Sequence, residues 1–211
     1  MAVLVEITAR FDEAPNIAWG EHLWRAGAHV VYGMERLKTH VKLGLVVREE
    51  EDGLRRYVHA STGNYHAGTA RLYEDLGMLT CEPKLTESAA AVFNELTSAV
   101  PPLDYGPILV APDTLRAGFT ELIRREVEHC AAGRPSGIRA KMNQLQDSAI
   151  IRELYLASQA GVPITLNVRG LCCLRAGVPD LSETINATAR WGVFSSTDAF
   201  IVLKTRATRY T

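Results

Sequence analysis

The second half of the chain alternates short β-branched apolar runs with longer amphipathic segments, and this alternation constrains the fold more than any other feature. The pattern begins after Pro101 and Pro102, two consecutive prolines that end a preceding helix and stiffen the connection. It predicts strands and helices in strict alternation, at 108–111, 114–132, 138–143, 148–160 and 164–169. Such alternation is typical of βαβ units, in which helices pack against a largely parallel sheet. We therefore predict an α/β fold with a domain boundary at 100/101, which separates 1–100 from 101–211.

The first half of the chain predicts a second, smaller set of strands and helices. Alternating and β-branched runs predict four strands, at 3–8, 29–32, 40–48 and 54–60. Apolar residues at helical spacing predict two helices, at 14–28 and 86–97. An acidic turn at 50–53 separates the last two strands and predicts that they pair as a hairpin.

The composition is that of a globular and nearly neutral protein. Of the 211 residues, 47% are hydrophobic, which excludes wholesale disorder because it provides enough apolar surface for a packed core. The 23 basic and 24 acidic side chains leave a formal charge of −1. This balance excludes a general binder of nucleic acids or anionic membranes, since both require a strongly positive surface. Any anion site must come from a local cluster of cations.

The start of the sequence and its cysteines both favour the cytoplasm. The first residues lack the order of basic, apolar and small residues that marks a signal peptide. No apolar run reaches the roughly 18 residues that a membrane span requires. The four cysteines, at 81, 130, 172 and 173, form no CxxC pair, a spacing that suits neither a zinc site nor a disulfide framework. We expect a cytoplasmic protein without a membrane span.

The segment that begins at His40 is the first candidate for chemistry. Side chains on a strand alternate between its faces, so this strand would present one apolar face to the core, formed by Val41, Leu43, Leu45 and Val47. The opposite face would carry His40, Lys42 and Gly44. An ammonium beside an imidazole favours the neutral ring, which can attack phosphorus, and it also attracts phosphate oxygens. An ordinary exposed strand edge would show the same tripeptide spacing, so this pattern alone leaves both interpretations open.

A second segment, Ser61–Tyr65, follows the next predicted strand, where loops commonly build sites. Gly63 permits close backbone approach, and Asn64 can hydrogen-bond a phosphate or a histidine ring. Alone, Thr-Gly-Asn predicts only a turn. Together with the upstream His-x-Lys, it resembles the HxK…GxN signature of the phospholipase D superfamily, whose members use a histidine as the nucleophile on phosphorus.

Longer blocks resemble the C-terminal catalytic part of bacterial polyphosphate kinase. These blocks occur in the family's order and with its spacing, at 5–17, 33–43, 55–65, 69–76, 140–147 and 168–179. The resemblance runs from about Val3 to Ile185. It implies two phospholipase D-like α/β units, both incomplete, and a reversible transfer of the terminal phosphate of ATP to inorganic polyphosphate. It also implies Mg²⁺ as cofactor and ATP or ADP as substrate. Because the first half would expose surface that the family covers, we expect a homo-oligomer or pairing with another chain.

The resemblance also implies roles for individual residues. His40 matches the phosphohistidine intermediate of the family, and Lys42 and Asn64 belong to the superfamily motif, so these three form the expected catalytic group. Arg10 matches an arginine associated with the magnesium-phosphate site, whereas Tyr73 and Arg169 match positions that contact the nucleotide or its phosphates. Arginine suits such contacts because its planar fork matches phosphate oxygens. Arg169 also follows an apolar strand directly, and α/β sheets bind ligands at the carboxyl ends of their strands.

The sequence departs from the family pattern near its C-terminus. The family carries a second histidine after the block that contains Arg169, but no histidine follows His129 here, and Thr197 stands at the expected place. Because a lost transition-state donor commonly costs about 10²–10⁴-fold in rate, we expect low activity from this chain alone. Two alternatives therefore stay open at this point: a phospholipase D-type phosphodiesterase, and a non-catalytic protein that binds polyphosphate or nucleotide.

Overall fold

The computed structural model describes residues 1–7, 13–33, 37–98, 100, 102–188 and 200–203. Within these residues the chain forms four α-helices and nine strands in three sheets, which confirms the predicted α/β class. The chain folds into two compact units. The first contains 1–61 and 77–108, and the second contains 62–76 and 109–211. The predicted domain boundary at 100/101 stays a prediction.

The first unit begins with a small βαβ arrangement. Strand β1 (Ala2–Val5) pairs in parallel with β2 (His29–Tyr32), and helix α1 (Glu13–Arg25) connects them. Gly27 follows the helix with φ +86°, a conformation that glycine adopts without steric cost, so the chain can turn directly into β2. The predicted strand 29–32 is confirmed with its bounds unchanged.

An antiparallel sheet completes the first unit. It contains β3 (Lys42–Glu50), β4 (Gly53–Ser61) and β5 (Gly77–Thr80), in that order. The predicted hairpin is confirmed, with Gly53 at φ +115° in its turn. Helix α2 (Pro83–Ser98) follows the last strand and packs on β4 and β3.

The predicted apolar face of β3 is wrong at both of its ends. Val41 and Val47 are 50% and 52% exposed, whereas Leu43 and Leu45 are half-buried. The burial stops near Leu45 because its register partner on β4 is the deeply buried Val58, while the next pair on that face joins Val47 to an exposed arginine. The predicted alternation of burial is wrong as well, because Lys42 on the opposite face is buried while Leu43 is only half-buried. The strand pattern could not show how far the covering elements reach.

The second unit is built around a four-stranded sheet with helices packed against it. Its helices are α3 (Leu115–Ala131) and α4 (Ser148–Gln159), and its strands are β6 (Ile138–Met142), β7 (Ile164–Val168), β8 (Ile185–Thr188) and β9 (Phe200–Leu203). The strands lie in the order β8-β7-β6-β9, and all pairs are parallel except β6 with β9. The βαβ interpretation of this half is therefore confirmed.

The core of the second unit lies on one face of this sheet. Alternate residues of β6 and β7 are buried, and Leu166 and Ala157 of β7 and α4 are 0% exposed. The fully buried Glu126 of α3 accepts a hydrogen bond from the backbone N–H of Gly137 (3.1 Å). This bond helps to offset the cost of removing the carboxylate from water.

Asp147 caps the N-terminus of α4. Its Oδ1 accepts hydrogen bonds from the backbone N–H groups of Ala149 (3.0 Å) and Ile150 (3.1 Å). Its Oδ2 accepts from Nε and Nη2 of Arg116 on α3, at 2.8 and 2.7 Å. The bond from Ile150, assisted by the Arg116 charge, holds the pKa of this carboxyl below its usual value.

The predicted strand at 108–111 is wrong. The N–H of Val110 donates to Oγ1 of Thr114 (2.8 Å), and its carbonyl accepts from the N–H groups of Thr114 (2.8 Å) and Leu115 (3.0 Å). Backbone groups that a strand would offer to a neighbour are therefore used to start α3.

Across the described part of the chain, no helix is both long and apolar enough to cross a membrane.

Candidate active site

His40 lies in the segment 38–41, which belongs to no helix or strand and leads directly into β3. Its side chain is exposed. The preceding residue, Thr39, donates its backbone N–H to Oε2 of Glu6 (2.7 Å), which follows β1 directly. The imidazole is therefore accessible on a backbone that is fixed by a carboxylate from a distant part of the sequence.

Lys42 is the first residue of β3 and only 8% exposed. Its Nζ donates a hydrogen bond to the backbone carbonyl of His40 (2.6 Å). The sequence pattern places this lysine beside His40 on the face opposite the apolar one, and in the structure its ammonium is directed at the main chain of that histidine. The bond partly compensates the desolvated charge and fixes the carbonyl of the candidate nucleophile.

Asn64 lies in the excursion 62–76, which leaves the sheet after β4 and returns to it at β5. Its side chain is exposed, and its backbone carbonyl accepts a hydrogen bond from the N–H of His66 (2.8 Å). A Cβ atom at Gly63 would overlap the carboxylate of Asp75. The group that approaches Gly63 closely is thus a side chain of this chain, and Asp75 also accepts a hydrogen bond from the hydroxyl of Thr62 (3.1 Å).

Tyr73 belongs to the same excursion and is half-buried. It follows a single 3₁₀ turn at Thr69–Arg71, whose last residue donates its backbone N–H to the carbonyl of Gly68 (3.4 Å). The tyrosine is therefore partly accessible to solvent in an irregular segment, as a nucleotide contact would require.

Arg169 lies immediately after β7 and is half-buried. Its backbone N–H donates to the carbonyl of Met142 (3.0 Å), and the N–H of Gly170 donates to the carbonyl of Asn143 (2.8 Å). A Cβ at Gly170 would lie only 3.0 Å from that carbonyl oxygen, so glycine allows this close approach of the two strand ends. The arginine stands at the carboxyl end of two parallel strands, where the sequence predicted it.

Asn143 is a polar residue at this edge that the sequence analysis did not select. Its side-chain Oδ1 is buried and accepts no hydrogen bond in the structure. Such orphaned acceptors are rare in folded proteins, and they occur at sites where a ligand or water supplies the donor. The signal available in the sequence was a polar residue at the end of a predicted strand.

The structure joins some of the predicted site residues directly. His40 and Lys42 belong to the first unit and are linked by the bond described above. Asn64, Tyr73 and Arg169 all belong to the second unit. Arg10 and Thr197 lie outside the described residues.

A resident metal site has no support from the residues that the structure describes. Among them, no group of three or more histidine, cysteine or acidic side chains is arranged to hold an ion. Mg²⁺ is bound in proteins by one or two carboxylates together with substrate phosphates and water. These residues therefore do not fit a magnesium site built by the protein alone.

Two family models of known proteins together match most of this chain. The family model described as polyphosphate kinase C-terminal domain 1 matches residues 1–102, and the model of C-terminal domain 2 matches residues 108–207. Together they continue past Ile185, where the resemblance noted in the sequence ends.

Full-length relatives and a solved structure give the same result. Polyphosphate kinases of Streptomyces coelicolor and Synechocystis are 52% and 54% identical over 91% and 88% of this chain. The crystal structure of polyphosphate kinase from Porphyromonas gingivalis matches with a TM-score of 0.76 and 36% identity, over 89% of this chain and 31% of the other. The chain spans about a quarter of the length of the curated relatives it matches, 26% in the case of the Streptomyces protein.

These likenesses assign the chain to the α/β proteins of the phospholipase D-like class, as its fold indicates. Within that class, the chain belongs to the polyphosphate kinase family and corresponds to the two C-terminal domains of that family.

Proposed function

We propose that this chain carries the phosphoryl-transfer centre of a polyphosphate kinase, which moves the terminal phosphate of ATP to inorganic polyphosphate and back through a phosphohistidine at His40. The observation that carries the proposal is the ordered match of both C-terminal domains of the family, the first of which contains His40. The exposed imidazole on a restrained backbone supports it.

In the forward direction, a neutral ring nitrogen of His40 attacks the terminal phosphorus of ATP. The N–P bond forms as the bond from that phosphorus to the bridging oxygen breaks, and ADP leaves with the electron pair. A terminal oxygen of polyphosphate then attacks the phosphoramidate, the N–P bond breaks, and the ring nitrogen recovers its lone pair. Such transfers depend on positioning and on neutralising charge. Lys42 contributes to the first requirement through the carbonyl of His40.

Three further residues are proposed to contact the substrate. Arg169, at the carboxyl end of β7, is suited to bind phosphate oxygens through its guanidinium fork. Tyr73 presents a partly exposed ring for contact with the nucleotide, and the exposed amide of Asn64 can donate to a phosphate oxygen. These three assignments rest on the family resemblance, and the strand-end position of Arg169 supports its own.

Magnesium enters the proposal as part of the substrate. We propose that the ion arrives bound to the phosphates of ATP, where it neutralises their charge, with Arg10 near the metal-bound phosphates. The lack of a metal-binding cluster among the described residues agrees with an ion held mainly by substrate oxygens.

A homo-oligomer in the cytoplasm remains the proposed state of the protein. The first unit exposes large apolar side chains, with Trp19 62%, Trp24 68% and Leu79 83% exposed. Surfaces of this kind are commonly covered by another protein surface. Light scattering coupled to size-exclusion chromatography measures the assembly directly.

The phosphohistidine is tested by incubating the chain with ATP labelled in its terminal phosphate and with Mg²⁺. We expect protein-bound label that is labile in acid, stable in base and absent from the His40→Ala variant. His29→Ala is the matched control, because His29 is also an exposed histidine of the first unit and lies in β2. Label that persists in His40→Ala would assign the intermediate to another residue.

A binding-only function is the second candidate, and the residue at position 197 favours it. Threonine stands where the family carries its second histidine, so a donor for the transfer is absent from the sequence. Isothermal titration with long-chain polyphosphate beside an ATP turnover assay separates the two candidates. Binding without turnover or label would select this one.

A further inference from the structure

Glu6 connects three parts of the first unit. It follows β1 directly, and its backbone carbonyl accepts a hydrogen bond from Nδ2 of Asn16 on α1 (2.8 Å). Its carboxylate Oε2 accepts the backbone N–H of Thr39, 33 residues further along the chain (2.7 Å). The glutamate is therefore anchored at its main chain by a helix and directed by its side chain at the segment that carries His40.

The segment 38–41 depends on such bonds because it belongs to no helix or strand. Glu6 holds the N–H of the peptide unit 38–39, and Lys42 holds the carbonyl of the unit 40–41 at 2.6 Å. The carboxylate of Glu6 thus accepts from an amide, and the ammonium of Lys42 donates to a carbonyl. Both hydrogen bonds are charge-assisted and short. The two bonds enclose His40 on both sides in the sequence.

We propose that Glu6 is a positioning residue that sets the place of the His40 imidazole by holding the Thr39 amide. The proposal rests on the function proposed above, because only there does the place of the His40 imidazole matter for catalysis. The contact between Glu6 and Thr39 can be measured without activity. Glu6 would touch neither ATP nor polyphosphate in this role. Its removal is therefore expected to lower the rate of phosphohistidine formation without changing the KM for ATP.

The size of the effect follows from the sensitivity of group transfer to geometry. A displacement of about 1 Å in a reacting group costs up to roughly 10²-fold in rate. We expect Glu6→Ala to slow labelling of His40 by about tenfold to a hundredfold. Glu6→Gln keeps an acceptor oxygen of the same reach and should recover most of that loss.

The first measurement is amide hydrogen exchange at Thr39, read by NMR on the ¹⁵N-labelled chain. Loss of a hydrogen bond to a charged group should accelerate this exchange by about tenfold or more in Glu6→Ala. Glu6→Asp, whose carboxylate is one methylene shorter, should also accelerate it, whereas Glu6→Gln should stay close to the parent. Glu21→Ala is the matched control, because Glu21 is an exposed carboxylate of the same unit whose partner is Arg25 on its own helix.

The second measurement is the rate at which diethyl pyrocarbonate modifies the His40 ring, which reports the placement of the imidazole whether or not the chain reacts with ATP. Faster Thr39 exchange and an altered modification rate in Glu6→Ala and Glu6→Asp, both restored in Glu6→Gln, would support the proposal. Parent-like values of both quantities in Glu6→Ala, or in Glu6→Asp if the alanine variant does not fold, would overturn it. If the parent chain takes no label from ATP, the proposed function is refuted. That result is distinguishable from failure of the present proposal, because amide exchange at Thr39 and modification of His40 are both measured without nucleotide.

Discussion

Replacement of Asp147 tests how the second unit is held together, because this carboxylate makes two separable kinds of contact. Its Oδ1 caps α4 through the amides of Ala149 and Ile150, and its Oδ2 pairs with Arg116. An N-cap aspartate contributes about 1 kcal/mol, and a partly exposed ion pair adds about 0.5 kcal/mol. Asp147→Ala should therefore reduce the free energy of local opening of α4 by about 1.5 kcal/mol, the sum of these two contributions.

Two further variants separate the contributions. Asparagine caps helices about as well as aspartate, so Asp147→Asn should lose only the smaller, ionic part, about 0.5 kcal/mol. Arg116→Ala should lose a similar amount, and combining it with Asp147→Asn should add little because both remove one ion pair.

Hydrogen exchange of the α4 amides measures this energy in the second unit alone, without requiring the two units to unfold together. The expected 1.5 kcal/mol corresponds to about tenfold faster exchange in Asp147→Ala. If Asp147→Asn exchanged as fast as Asp147→Ala at neutral pH, the capping bonds would contribute nothing and the reasoning would be refuted.

The pH dependence has a definite sign. The pKa of Asp147 is lowered in the folded chain, so its ionic contribution is complete above the unfolded value of about 3.9. The contribution is lost as the pH falls through the lower folded value. The stability difference between the parent and Asp147→Asn should shrink over that acidic range.

Two other substitutions test the packing. Leu166→Ala removes a fully buried side chain of β7 and should lower the free energy of unfolding by about 2–5 kcal/mol, measured by urea unfolding with circular dichroism. The control Leu156→Ala, at a side chain of α4 that is 47% exposed, should lower it much less. Gly63→Ala forces a Cβ into the carboxylate of Asp75 and should destabilise the excursion by about 1–3 kcal/mol. Asp75→Ala in the same chain should relieve part of that cost, and simple additivity of the two changes would contradict the overlap.

The sequence predicted those elements whose pattern is set by local chemistry. The strand 29–32 and the alternation of β6, α4 and β7 were predicted because each segment has hydrophobic residues at the spacing of its own type of element. Strand β5 was missed, since its short sequence Gly-Met-Leu-Thr carries no strand pattern and it forms by pairing with β4. The predicted strand at 108–111 is wrong because the backbone N–H of Val110 donates to the side chain of Thr114 and not to a neighbouring strand.

The candidate site divides in the same way. His40 and Lys42 are neighbours in the sequence, so their proximity was predictable, but the burial of Lys42 was not, because it depends on what covers the strand. The bond between Glu6 and Thr39 joins residues 33 apart and involves a backbone amide that no motif reveals. Sequence spacing finds groups on one element, whereas contacts between distant segments appear only when the fold brings them together.

The excursion 62–76 begins and ends at one rung of the antiparallel ladder, because Ser61 and Gly77 are paired across β4 and β5. An insertion of this kind imposes no register on the strands that carry it. A short turn in its place would leave the ladder intact while deleting Asn64 and Tyr73 together. The residues proposed to meet the substrate there are therefore carried by one replaceable insertion, whereas His40 lies on the segment that leads directly into β3.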